Sequence, residues 1–386
     1  MRTKPLAEKS DGTYSKLVQD LKTRSERLCP DNPYSKDRMA FLHVSAAIYH
    51  LYSSQITDQK AFFRHVYYHE QLALLDRREL TNIRNQIQFT GTHELLRETQ
   101  DGGRILVSFH YGSFFASLAA LSANDLDVTV GMSPAVYAKI KTDLLADTQR
   151  LIEHDNSKLK LELVDMGEPM AIFRLARRLR SGKDVFAFID GDSRQRIMDN
   201  EQRRIRIPFL EGALLISSGF AYLSYLTGAP LVPMISYRAP RKGTVLDFMD
   251  WIYPDTAHTA ETYAKRSMTK LFRYLETRVK ADPTQWEGWL YIHQLVERKN
   301  NPEYLTPEKN RQVPSDEYLV NHQRYGLIAG KSDHYLFDRQ QYRLLWIPSE
   351  LFELLDNRTE QQTVIQADEQ TMDYLFREHI LIPQIP

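Results

Sequence analysis

Apolar residues recur at three- and four-residue spacing over 14–28, 37–52 and 61–80, which predicts three helices ahead of residue 90. Their apolar faces, crowded with Phe62, Phe63, Tyr67 and Tyr68, read as a helical layer packed on a larger body. From Ile87 onward the apolar runs become short. Runs at 87–90, 104–109, 128–131, 161–164, 185–189 and 231–237 predict strands. Helical patterns at about 91–99, 113–122, 135–153, 169–180 and 217–227 lie between them, and 254–280 and 285–298 read as closing helices. Strands that alternate with helices in this way predict an α/β fold, a mostly parallel sheet flanked by helices.

A polar stretch rich in proline, lysine and asparagine over 299–317 reads as a linker. Beyond it the pattern is β first and helical second, with strands at 326–330, 335–338 and 342–347 and helices at 349–355 and 370–378. The expected organisation is one domain over 1–298, whose first 85 residues form the helical layer, and a small α+β module over 318–386.

Composition narrows the classes. Lys plus Arg equals Asp plus Glu at 50 each in 386 residues, so the overall charge makes no case for nucleic acid or an anionic surface. The single cysteine, Cys29, excludes an intramolecular disulfide and a thiolate zinc cluster, and no metal site is expected. The first residues lack the apolar core of a signal peptide, and no apolar run reaches the roughly 18–20 residues of a spanning helix. A soluble, cytoplasmic protein is the expectation.

The run Ile105-Leu106-Val107-Ser108-Phe109 delivers His110, Tyr111, Gly112 and Ser113 to the carboxyl end of a predicted strand, where α/β folds bind ligands. A neutral imidazole there can take a proton from an attacking hydroxyl or amine, best when a carboxylate fixes its tautomer. A histidine satisfied within the structure is the alternative. No carboxylate follows His110 closely; Asp190 and Asp192, after the predicted strand 185–189, emerge at the same sheet edge and are the candidates. Arg194, Arg196, Arg203, Arg204 and Arg206 then form a basic cluster whose forks suit phosphates such as those of coenzyme A or a phosphopantetheine arm, or are solvated loop charges.

Several segments, in order, go further: Phe89-Thr90-Gly91-Thr92-His93-Glu94, the His110 run, Phe188-Ile189-Asp190-Gly191-Asp192, Ile207-Pro208-Phe209 through Ser218-Gly219 to Thr227-Gly228-Ala229-Pro230 and Arg238, and Pro283-Thr284-Gln285-Trp286. Together, over residues 80–298, they resemble the bacterial lipid A late acyltransferases. The resemblance implies a glycerolipid-acyltransferase-like fold, an acyl thioester donor (acyl-coenzyme A or an acyl or peptidyl carrier protein), no bound cofactor, and His110 as the base that deprotonates the acceptor. With the basic cluster, it makes Tyr111, Gly112, Ser113, Arg194, Arg196, Arg206, Gly219 and Arg238 the expected substrate contacts. In that family an acidic residue follows the histidine in an H-x4-D/E motif, and here the matching position is Phe115. Asp190 or Asp192 must substitute, or the chain is a carrier- or peptide-binding scaffold without chemistry, or a hydrolase or condensing enzyme on the same fold. The family's apolar N-terminal anchor has no counterpart here, which favours a soluble acceptor. The C-terminal module, through Tyr335-Leu336-Phe337-Asp338 and Leu345-Trp346-Ile347-Pro348, resembles small winged-helix-like PqqD-like domains, which implies a leader peptide bound by strand addition. A role in natural-product or modified-peptide biosynthesis follows as an expectation.

Overall fold

The computed structural model describes residues 7–97, 102–191, 204–240, 242–298, 318–356 and 368–383. The N-terminal layer comprises α1 (Ala7–Glu26), α2 (Arg38–Leu51), α3 (Gln59–Arg78) and the short α4 (Leu80–Ile83). Asp58 caps α3 by accepting the Ala61 N–H at 2.9 Å, which satisfies one of the free donors of the first turn. α2 is apolar almost all round, with Phe41, Leu42, Val44, Ala46, Ala47, Ile48 and Leu51 buried, so it must be covered on more than one side.

The main sheet has seven strands: β1 (Gln88–Gly91), β2 (Ile105–Ser108), β3 (Asp127–Met132), β4 (Lys160–Asp165), β5 (Asp184–Phe188), and, after the separate hairpin of β6 (Arg204–Phe209) and β7 (Gly212–Ser217), β8 (Leu231–Ala239) and β9 (Gly243–Phe248). Their order is β1-β9-β8-β2-β5-β3-β4, and every pairing is parallel except β8 with β9. Helices α5 (Ala116–Ala123), α6 (Pro134–Asp155), α7 (Ala171–Arg180) and α8 (Gly219–Thr227) lie on the connections between strands and, with α9 (Ala260–Ala281), cover the faces. Along β2, Ile105 and Val107 enter the core shared with α2 and α9, whereas Leu106 enters the core shared with α5 and α6. A strand buried on both faces explains the unbroken apolar run.

Three expectations fail. Residues 283–294 are three short 3₁₀ turns (Pro283–Gln285, Glu287–Leu290 and Ile292–Gln294) and not a closing helix, and the helix expected near 91–99 is a 3₁₀ turn, His93–Arg97. The apolar spacing of Trp286, Trp289, Ile292 and Val296 mimics a helix, but backbone groups of this segment are spent on neighbouring strands: Leu295 O accepts Leu215 N at 2.7 Å and Glu297 N donates to Ala213 O at 2.9 Å. Strand β9 and the β6/β7 hairpin also appear where no strand was expected.

In the C-terminal region β10 (Tyr318–Val320) pairs with β14 (Leu381–Pro383), and β11 (Tyr325–Ala329), β12 (His334–Asp338) and β13 (Arg343–Ile347) form an antiparallel meander followed by α10 (Ser349–Leu355) and α11 (Glu369–Arg377). It has its own small core around Tyr325, Leu336, Phe352 and Leu375. It also covers α2: Arg38 donates to Leu327 O at 2.8 Å, and Phe337 joins the core containing Leu42. The stretch expected as a linker, 299–317, lies outside the described residues.

Candidate active site

β2 and β5 pair in parallel with Ile105 opposite Val185 and Ser108 opposite Phe188. Two residues beyond those ends, the same register sets His110 beside Asp190. His110 Nδ1 lies 2.9 Å from Asp190 Oδ1, and the carboxylate also accepts the His110 backbone N–H at 3.0 Å and the Trp286 indole N–H at 2.9 Å. Asp190 is 0 % exposed, and these donors replace the water it has lost. A carboxylate only accepts, so Nδ1 carries the proton and the Nε2 lone pair stays free. Nε2 has no hydrogen-bond partner among the described residues, and the His110 side chain is 22 % exposed. This is the arrangement of a general base with its orienting acid. Burial disfavours the charged imidazole, but the charge and hydrogen bond of Asp190, with the charge of Glu287, outweigh it and hold His110 above the usual histidine range.

The turn after β2 is fixed by the closing segment. Gly112 has φ +61°, and a Cβ there would sit 2.7 Å from Tyr237 Cα and 2.9 Å from Ser236 O, so no other residue fits. Its N–H donates to Gln285 O at 2.9 Å, Tyr111 bridges to Trp286, and Glu287 N–H donates to His110 O at 2.9 Å. The Tyr111 hydroxyl is tied to the carbonyls of Arg278 and Asp282 at 2.8 and 2.7 Å. The 3₁₀ turns thus clamp His110 from outside the sheet. Around the imidazole stand Phe188, Phe114 and Tyr291, with ring centroids at 4.4, 5.0 and 5.9 Å.

Two neighbours had no role assigned from sequence. Glu287 is largely buried, and that burial, against the favourable charge of His110 and with the repulsion of Glu70 and Asp190, pushes its carboxyl up to about 7. The Tyr291 hydroxyl is buried with no hydrogen-bond partner among the described residues, and burial with the charges of Asp190 and Glu287 pushes it well above the usual phenol range. Glu287 belongs to the Trp286 segment noted above, but helical periodicity placed it on a helix that does not form.

Of the other candidates, Asp192, Arg194 and Arg196 lie outside the described residues. Ser113 is buried, and Gly219 opens α8 at the carboxyl edge of the sheet. Arg206, exposed on the hairpin, pairs with Glu297 at 2.7 Å, and Arg238 pairs with Asp76 at 2.6 Å, so both charges are already engaged by carboxylates. Phe115 is buried in the core beneath the guanidinium of Arg77, 5.5 Å from its ring. Among the described residues no group of three His, Cys, Asp or Glu side chains is placed to hold a metal ion, and no helix is long and apolar enough to cross a membrane.

A mostly parallel sheet flanked by helices, with a histidine and a buried carboxylate at its carboxyl edge, defines an acyltransferase-like α/β protein. Residues 60–297, more than half the chain, match the family model for bacterial lipid A biosynthesis acyltransferases, and the chain belongs to that family. A search of curated proteins found no match. The matched segment starts within α3 and ends at the edge of the 299–317 stretch, so α1, α2 and the C-terminal region lie outside it.

Proposed function

We propose that the chain transfers an acyl group from a coenzyme A or carrier-protein thioester to an amine or hydroxyl acceptor, with His110 as general base and Asp190 as its positioning residue. The observation that carries this reading is the 2.9 Å contact between His110 Nδ1 and Asp190, a carboxylate just beyond β5 standing in for the one that Phe115 displaces. Nε2 takes the acceptor proton as the nucleophile attacks the thioester carbon. When the tetrahedral intermediate collapses, the C–S bond breaks and the imidazolium returns the proton to the departing thiolate. The buried carboxylate stabilises the imidazolium between those events.

The C-terminal region serves in this reading as a docking module for a peptide substrate. β13 is an edge strand of its sheet, with Trp346 64 % exposed and Leu344, two residues earlier, also exposed, which suits addition of an extended segment. A ribosomal or carrier-bound peptide in the cytoplasm fits the single free cysteine.

The test is thiol release from acyl-coenzyme A and acyl-carrier donors with amine and alcohol acceptors, for wild type and His110→Ala. Acyl transfer by the wild type and a loss of about 10³-fold or more in the variant are expected. Carrier or peptide binding without turnover, unaffected by His110→Ala, would identify a scaffold instead.

A further inference from the structure

Apart from the apolar rings of Phe188 and Phe114, the groups beside His110 that are not already bonded can all accept a hydrogen bond. An alcohol nucleophile offers one hydrogen-bond donor; a protonated amine offers three and accepts none. His110 Nε2, the Glu287 carboxylate and the Tyr291 hydroxyl make three acceptors, and none of them has a hydrogen-bond partner among the described residues. The Tyr291 ring stands edge-on to His110 at 5.9 Å, and Glu287 opens the 3₁₀ turn that leads directly into Tyr291. The backbone hydrogen bond from Glu287 N–H to His110 O fixes the two residues together.

From this arrangement we infer that the acceptor is a primary amine, bound as its ammonium ion by Glu287 and Tyr291 beside His110. The inference deepens the acyl-transfer reading and rests on it for the chemistry, but not for the binding. The charges facing the site support it. Asp190, Glu287 and Glu70 are acidic, and the cations acting on Glu287 are His110, when protonated, and Lys139 from α6. An anionic acceptor would meet repulsion there, whereas an ammonium adds a counter-charge beside the Glu287 carboxylate.

Two protons must leave the ammonium. Glu287 takes the first, a task eased by a carboxyl whose affinity for protons is raised by burial, and gives it up to solvent. The neutral nitrogen then attacks the thioester carbon while His110 Nε2 takes the second proton, which goes to the thiolate as the C–S bond breaks. The products are an amide, a thiol and one released proton.

The experiment uses the full chain, palmitoyl-coenzyme A and a matched pair of acceptors, hexylamine and hexanol, with binding followed by calorimetry and transfer by thiol release. Hexylamine is expected to bind and to be acylated in preference to hexanol. Glu287→Gln should raise KM for the amine and lower its kcat/KM by about 10- to 100-fold, the scale of one lost charge-assisted hydrogen bond, and should lower the alcohol rate by a smaller factor. Glu287→Asp should recover part of the preference, and Tyr291→Phe should weaken amine binding by a smaller factor; thermal melting establishes that each variant is folded. Equal use of the two acceptors, equal losses on both in Glu287→Gln, or undiminished hexylamine binding in that variant would overturn the inference. Hexylamine binding that depends on Glu287 but comes with no thiol release would uphold the acceptor class and sink the acyl-transfer reading.

Discussion

Position 115 caps the start of α5, and its phenyl ring is buried against Phe114 with Arg77 above it. Arg77 is held by Asp147 at 2.8 Å, so the site that would receive the motif's acid is a packed apolar contact and not a vacancy. The carboxylate that pairs with His110 is instead Asp190, which the sequence offers alongside Asp192 without choosing between them, because their sequence separation from His110 carries no register. Asp190→Asn tests its role. Burial alone lowers the histidine's affinity for protons, and Asp190 reverses that, so the base becomes neutral only above the ordinary histidine range of about 6.5. In the wild type the acid limb of the kcat/KM profile should lie above that value; in Asp190→Asn it should move to lower pH while the rate falls about 10³- to 10⁴-fold. A limb that stays in place would show that Asp190 does not set the protonation of His110.

Glu287 gives a second expectation with the opposite sign in stability. Its folded value of about 7 lies above the unfolded value of about 4.3, so the folded state keeps a proton that the unfolded chain has lost between those pH values. That contribution is present at low pH and is lost as pH rises through the window, leaving a buried charge above it. Glu287→Gln should therefore be as stable as wild type near pH 4 and more stable at pH 8, by at most about 4 kcal/mol in urea unfolding. A residue that lowers stability at neutral pH yet holds this position suits a functional role.

At the scale of elements, the pairing of β2 with β5 decides the site. A buried ion pair at the opposite end of the two strands, Arg104 with Asp184 at 2.7 Å, pins their register, since Arg104 N–H also donates to the same carboxylate at 2.9 Å. The strands themselves were legible because a doubly buried parallel strand is a short apolar run. The closing segment was not, because its apolar period of three to four fits a helix while its backbone bonds go to β7 and to the His110 turn. Gly112 is where these parts meet. Gly112→Ala forces a Cβ into Tyr237 and Ser236 at a positive φ, and should cost about 1–3 kcal/mol in stability and displace His110, with activity falling further than the stability loss alone explains. Full activity in a destabilised variant would show that the turn does not position the base.

Over the whole molecule, α2 is the joint. One side packs in the main core, and the other is covered by the meander, where a Cβ on Gly326 would come within 2.3 Å of Leu42 Cδ2. His50 reaches the same region, its Nε2 standing 3.1 Å from Gln340 O. Deleting 318–386 would uncover buried apolar side chains of α2, among them Leu42, and the shortened chain should melt at lower temperature and aggregate. A shortened chain that melts as the full one does would show that the meander contributes nothing to the stability of the main domain.

By itself the sequence determined the alternation of strands and helices, the meander after residue 318 and the placing of His110 at a strand end, because burial on one face or two writes a period into the chain. The tertiary structure decided which acid serves the histidine, that Trp286 and Glu287 surround it, and that Arg206 and Arg238 are already paired. Those are contacts between residues 80 to 177 positions apart, and apolar periodicity, a local property, does not encode partners across strand register.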